Sequence, residues 1–268
     1  MKRRTLLLAA AALGCSRPPR AASSLALALW RLSAGTSESQ AGDVAWFWAE
    51  LGRISHRVAE RHEAGLSPAQ ATTRVLFDDL GFAREVESTR LDFVLLPDVL
   101  QRRRGSCVGL GTLYLCLAEI LDFRAEGLLR PGHFYVRQAA PGVACNVELL
   151  RRGEIMPDAW YEARFPLRQA SSRSYGRPLS PAEVVGVVAF DIGNERRRRT
   201  QLAAAARAYL QAIASFPSFA EAHASLGAVQ QLLGDYGAAS ASYGRARELD
   251  PSLPGLDHNA ALLGKMAR

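Results

Sequence analysis

The sequence predicts an α+β domain followed by an all-helical C-terminal segment. Two observations carry that expectation. The run CVGLGTLYLCLAEIL, residues 107–121, is apolar nearly all round, which is the pattern of a helix buried on every side. Three short strand-like runs follow it, at Arg124–Leu129, His133–Arg137 and Asn146–Leu149. Towards the C-terminus, Phe216-Pro217 and Asp250-Pro251 recur 34 residues apart at their prolines. The same shift lays Ile192-Gly193 on Leu226-Gly227, Ala205 on Ala239, Tyr209 on Tyr243 and Ala212 on Ala246. A period of that length marks stacked helix–turn–helix units.

Composition narrows the function classes. The chain has 268 residues, of which 49% are apolar and 22% charged, so a disordered or collagen-like chain is excluded. No apolar run reaches the roughly 20 residues that a membrane-spanning helix needs. The net charge is +7, yet lysine occurs only at Lys2 and Lys265, and the runs Arg102–Arg104 and Arg196–Arg199 lack interleaved aromatics. The basic balance therefore reflects Arg-rich composition, and no nucleic-acid partner is expected. Four cysteines without a C-x-x-C pair argue against a disulfide scaffold or a zinc finger. No cofactor motif and no metal-ligand spacing is present, so neither group is expected.

The N-terminus has the pattern of an export signal, with Lys2, Arg3 and Arg4 before the apolar stretch Leu6–Leu13. Ala12-Leu13-Gly14-Cys15 resembles a bacterial lipobox, which implies cleavage after residue 14 and lipidation of Cys15. The usual order of the two residues before the glycine is swapped here. Arg3-Arg4-Thr5-Leu6-Leu7 also resembles, weakly, a twin-arginine signal. An acylated Cys15 tethers a chain to a membrane surface without spanning the bilayer.

From this pattern follow an expected signal peptide over 1–14, a linker over 15–41, an α+β domain over 42–169, a linker over 170–185 and a repeat segment over 186–268. Apolar residues at helical spacing predict a helix over Asp43–Ala64. Ser67-Pro68 starts another, which runs to Leu80 and stops at Gly81. Leu91–Leu100, with Pro97 inside, reads as a loop and a short helix. Ser106 caps the helix that begins at Cys107. Ala140-Pro141-Gly142 turns the chain between the last two strands.

Cysteine catalysis needs a thiolate, a base and a group to orient the base. Cys107 at a helix start gains from the dipole and the unpaired N–H groups there, which also suit an oxyanion. His133 opens a strand after Arg130-Pro131-Gly132, and Glu148 lies on the next strand, with Asn146 a second candidate for orienting the imidazole. Cys116 reads as a buried apolar residue and Cys145 as strand packing. In an oxidising compartment Cys145 has Cys116 or Cys107 as disulfide partners. His56 and His62, six residues apart on one helix, do not face each other as ligands.

The stretch LPDVLQRRRGSCVGLGTLYLCLAEILDFRAEGLLRPGHFYVR resembles the SirB-type N-terminal region of the transglutaminase-like superfamily. Its Arg-Arg-Gly before the helix and its PGHF after it carry the likeness, which covers about Val75 to Tyr161. The resemblance implies a papain-like, cysteine-protease-type fold with Cys at a helix start, His on one strand and Asp on the next. Cys107, His133 and Glu148 stand at those places, with Glu for Asp. The segment AEAHASLGAVQQLLGDYGAASASYGRARELDP is similar to a tetratricopeptide repeat, over about 220–253. A degenerate copy precedes it, over about 186–219, with Thr200 where the turn glycine belongs. Two function classes follow. One is a Cys107–His133–Glu148 hydrolase acting on peptide or isopeptide bonds. The other is a non-catalytic adaptor that binds a protein or peptide partner through the repeats.

Overall fold

The computed structural model describes residues 23–36, 43–85, 90–140, 143–167 and 173–266, so Cys15 and the expected signal segment lie outside the described residues. Helix α1, Ser24–Ala34, buries Leu25, Leu29 and Leu32 at helical spacing. Its first turn is held by the Glu119 carboxylate, which accepts the N–H groups of Ser24 (3.0 Å) and Leu25 (3.2 Å). An acid there satisfies donors that a helix leaves open and complements its dipole. The stretch 15–41, expected to be a linker, thus contributes a core helix. The leucines that bury it follow directly on the breaker-rich segment, which masked their period.

Helix α2, Val44–Glu63, runs as the periodicity predicts, with Phe47, Leu51, Ile54 and Val58 turned inward. Helix α3, Pro68–Thr73, opens on a capping box between Ser67 and Gln70. It continues into π-helical turns over Arg74–Asp79, and the chain reverses at Gly81 with φ +69°. Strand β1, Ala83–Arg84, helix α4, Leu96–Arg102, and strand β2, Arg104–Gly105, lead to the central helix. Pro97 sits in the first turn of α4, where its missing N–H costs nothing.

Helix α5, Cys107–Leu121, is capped by Ser106, whose Oγ accepts the Gly109 N–H at 3.1 Å. Every residue from Val108 to Ala118 is buried. Its N-terminus is pinned to the preceding loop, because the Ser106 N–H donates to the Phe93 carbonyl at 2.7 Å. A Cβ on Gly109 would lie 2.2 Å from that same oxygen, so only glycine lets the two backbones meet.

Strands β3, Ala125–Arg130, β4, His133–Ala140, β5, Val143–Glu148, and β6, Glu154–Met156, are followed by helix α6, Asp158–Arg164, and strand β7, Pro178–Leu179. The sheet is antiparallel in the order β6-β5-β4-β3-β7. Its sides divide by strand alternation. Phe134, Val136 and Val147 belong to the same buried cluster as α5. On the other side Tyr135 stacks on Tyr161 of α6 with centroids 3.9 Å apart. β4 is longer than expected and β5 starts earlier, while Pro141 and Gly142 lie outside the described residues.

The region 170–185, expected to be a linker, supplies β7 as an edge strand on Gly127 and Leu128. A two-residue strand is defined by its distant partner, not by its own propensity. Five helices follow: α7, Pro181–Arg198, α8, Leu202–Ser215, α9, Ala220–Leu232, α10, Tyr236–Leu249, and α11, Leu256–Met266. Val184, Val187, Val188 and Ile192 of α7 are buried in the same cluster as α1, α2 and α5. The main core therefore crosses the boundary expected between 169 and 186.

The 34-residue period has a packing cause. A Cβ at Gly193 would meet the Tyr209 ring at 2.5 Å, and one at Gly227 the Tyr243 ring at 2.8 Å. Each glycine admits a tyrosine from the partner helix. Thr200 takes the left-handed backbone (φ 58°) that Gly234 takes (φ 83°) one period later, so the substituted turn keeps its shape. No helix among the described residues is long and apolar enough to cross a membrane.

Candidate active site

His133 is the first residue of β4 and Glu148 the last of β5. The ladder pairs Val136 with Val147, which sets Glu148 diagonal to His133 on one side of the sheet. The longer glutamate side chain spans that diagonal. His133 Nε2 and Glu148 Oε2 are 2.7 Å apart, with side-chain exposures of 4% and 2%. The second carboxylate oxygen accepts the Leu150 N–H at 3.0 Å, so both oxygens are fixed. With Nε2 engaged, Nδ1 is the ring nitrogen left to serve the Cys107 thiol, which lies close enough to help raise the imidazole pKa. Cys107 arrives from the first turn of α5, where the first N–H groups have no intrahelical acceptor.

The His133 environment sets its charge. Burial alone would lower its pKa. Interaction with Cys107 and with the Glu148 carboxylate outweighs burial and raises it from 6.5 to about 9. The imidazole is thus cationic at neutral pH. The ring lies parallel to Phe165, with centroids 4.2 Å apart and planes 8° apart, which fixes its orientation and excludes water from one side. Burial, with the Glu148 charge adding, pushes the Tyr161 phenol upward, and its hydroxyl is buried without a hydrogen-bond partner.

Cys107, Cys116 and Cys145 are free thiols. Cys116 is fully buried, as expected, and burial pushes its pKa up. Cys107 is only half-buried and lines a cavity of about 490 Å³. Asn146 does not serve His133. Its amide accepts from Arg137 Nε (2.8 Å) and donates to the Asp158 carboxylate (2.8 Å), because it stands opposite Arg137 and one pair further from the end of the sheet.

The sheet-side wall of the cavity holds Cys107, Arg130 and His133, and the helix-side wall holds Asp191, Glu221 and Asp250. Asp191 is partly exposed towards the cleft it lines, yet desolvation by the surrounding protein raises its pKa to about 7. Desolvation, followed by the Asp250 charge, brings Glu221 to about 7, and its Oε2 is buried without a partner. Asp250 is tied to Ser252, accepting its N–H at 2.9 Å.

Arg130, Phe165 and this acidic wall were not expected from sequence. The aromatic spacing in Trp160-Tyr161 and Phe165 was a signal for a packed helix. The three carboxylates, on α7, on α9 and just past the end of α10, had no local pattern to unite them.

A family model for the transglutaminase-like superfamily matches residues 45–187. The chain belongs to that superfamily. The transglutaminase-like match begins in α2, takes in Cys107, His133 and Glu148, and ends within α7. No curated protein matches the chain.

Proposed function

We propose that this transglutaminase-like chain is a cysteine hydrolase of amide bonds in peptides or isopeptides, with Cys107, His133 and Glu148 as its catalytic residues. The supporting observation is one buried imidazole held on Glu148 at 2.7 Å, with a half-exposed thiol beside it on the wall of the same cavity. The Cys107 thiolate attacks the substrate carbonyl, and the resulting oxyanion turns to the N–H groups at the start of α5. The tetrahedral intermediate collapses, the C–N bond breaks, and His133 gives its proton to the departing amine. Water then attacks the thioester while His133 takes its proton. Release of the carboxylic acid restores the Cys107 thiolate and the imidazolium. Glu148 holds the ring and balances its charge.

An electrophilic thiol probe tests this. Selective labelling of Cys107 at neutral pH that is lost in His133→Ala supports the reading. Labelling no faster than that of an exposed model thiol overturns it.

The same proposal reads the chain as exported and anchored to a membrane surface through lipid on Cys15, on the strength of its basic, apolar and small-residue N-terminal pattern. Palmitate incorporation that disappears in Cys15→Ser supports this, and incorporation that persists overturns it. The SirB-type assignment rests on the Arg-Arg-Gly and PGHF segments.

A second reading has its own support. The repeated Gly193–Tyr209 and Gly227–Tyr243 packing fits tetratricopeptide repeats, and Leu232 and Leu233 are 64% and 51% exposed. In that reading the repeats bind a protein or peptide partner and the domain acts as an adaptor. A Cys107→Ala variant that retains full biological function supports the adaptor and rejects the enzyme.

A further inference from the structure

Arg130 is the last residue of β3 and pairs across the ladder with His133. It lines the cavity beside Cys107 and is only 6% exposed. Nη1 donates to the Phe165 carbonyl at 3.1 Å, and Phe165 is also the ring stacked on His133. Nε is buried with no hydrogen-bond partner, and no carboxylate pairs with this guanidinium among the described residues. An arginine stays charged at any ordinary pH, and a buried charge without a counter-ion is strongly unfavourable. Such a group is completed by an anion from outside the chain.

The rest of the lining says what kind of anion. The other described arginine of the cavity, Arg198, is paired with Glu195. The same cavity is lined by Asp191, Glu221 and Asp250, and the part of their negative charge that survives burial disfavours a multiply charged anion such as a phosphate more than a singly charged one. A single carboxylate matches the one available positive charge, and guanidinium presents a fork that fits it.

We propose that Arg130 is a specificity-determining residue that binds a carboxylate of the substrate next to the bond attacked by Cys107. The proposal rests on the hydrolase reading and names its substrate class: peptides with a carboxylate flanking the scissile amide. That group is either the α-carboxylate of the last residue or an Asp or Glu side chain, and Arg130 recognises both through the same chemistry.

The test uses the full chain and two alkylating reagents of similar size, anionic iodoacetate and neutral iodoacetamide. Each forms an S–C bond at Cys107 as iodide leaves, and mass spectrometry follows the Cys107 peptide. The ratio of the iodoacetate rate to the iodoacetamide rate, normalised to that of glutathione, reports the anion site. It is expected to fall about tenfold in Arg130→Met and to recover in Arg130→Lys, a conservative figure for loss of one close charge. An unchanged ratio in Arg130→Met overturns the proposal. Should that variant fail to fold, the wild-type chain decides, because a normalised ratio of one or less also overturns it.

Three peptides then separate the sources: one with a C-terminal acid, the same sequence as its C-terminal amide, and that amide with an internal aspartate added. Preference for the first assigns the α-carboxylate, and equal preference for the first and third assigns any nearby carboxylate. Equal cleavage of all three overturns the proposal. Failure of the underlying hydrolase reading is distinguishable. Both reagents then react slowly and no peptide is cut, while the alkylation ratio still reports on Arg130.

Discussion

The two walls of the cavity handle charge in opposite ways. On the sheet side, His133 is tied to Glu148 at 2.7 Å, and Cys107 and Glu148 together raise its pKa to about 9. On the helix side, Asp191 and Glu221 are raised to about 7 chiefly by desolvation, and the Glu221 Oε2 atom has no partner. One wall holds its ions in place with hydrogen bonds. The other holds carboxyl groups that burial, more than any partner, pushes towards neutrality. Pre-positioned charge is what a reaction centre needs, whereas desolvated carboxyls supply a surface whose charge depends on pH.

The largest expected effect breaks the sheet-side wall. His133→Ala removes the proton acceptor and should slow labelling of Cys107 at pH 7 by about 100-fold or more, measured as a second-order rate with a thiol probe. A rate within tenfold of wild type would show that the imidazole does not activate the sulfur. Next comes the backbone that presents Cys107. Gly109→Ala forces a Cβ against the Phe93 carbonyl oxygen and should cost about 1–3 kcal/mol in chemical denaturation, with slower labelling as the helix start shifts. A Cβ at Gly227 meets the Tyr243 ring at 2.8 Å and the Ala239 carbonyl oxygen at 3.2 Å, both looser than the Gly109 contact, so Gly227→Ala should cost less and leave labelling alone. Equal losses from the two variants would contradict the pinned helix start.

The pH dependence sharpens the contrast further. His133 has a folded pKa above its unfolded value, so its contribution to stability is complete below about 6.5 and is lost as pH rises through about 9. Glu148→Gln withdraws the partner charge. Melting profiles of that variant should lose this alkaline slope, and the upper limit of Cys107 labelling should move to lower pH. The helix-side acids act in the window below. Their raised pKa values mean that the folded chain holds protons which the unfolded chain releases, so stability falls between about pH 4 and pH 7. Asp191→Asn should flatten that slope and raise the melting temperature at pH 7.5 by a few degrees, the smallest of these effects. A steeper slope in that variant would show that its carboxylate is paired.

How much of this was legible in the sequence differs between the walls. The Ser106 cap, the start of α5 at Cys107 and the opening of β4 at His133 follow from local signals, a capping hydroxyl, an unbroken apolar run and a Pro-Gly turn. Strand order then brings Glu148 to His133. The helix-side wall was not legible, because Asp191, Glu221 and Asp250 each read as an ordinary helix-surface or turn acid until three helices bring them to one cleft. Arg130 was hidden for a related reason. Its want of a counter-ion is a property of the folded surroundings, and a lone arginine before Pro131 carries no such mark. Helix α1 and strand β7 were missed because each is stabilised by distant partners, Glu119 for one and Gly127 with Leu128 for the other.

Helix α7 runs unbroken from Pro181 to Arg198, and the family match stops at residue 187, inside it. The edge of the family match therefore falls in the middle of a rigid rod, with Val188 and Ile192 beyond it still plugged into the shared interior. Trimming the chain at that point would sever the rod and strip one side of the cleft together with its acids. Anyone who grafts, tags or shortens this protein must treat the tail as part of the vessel and not as an attachment to it.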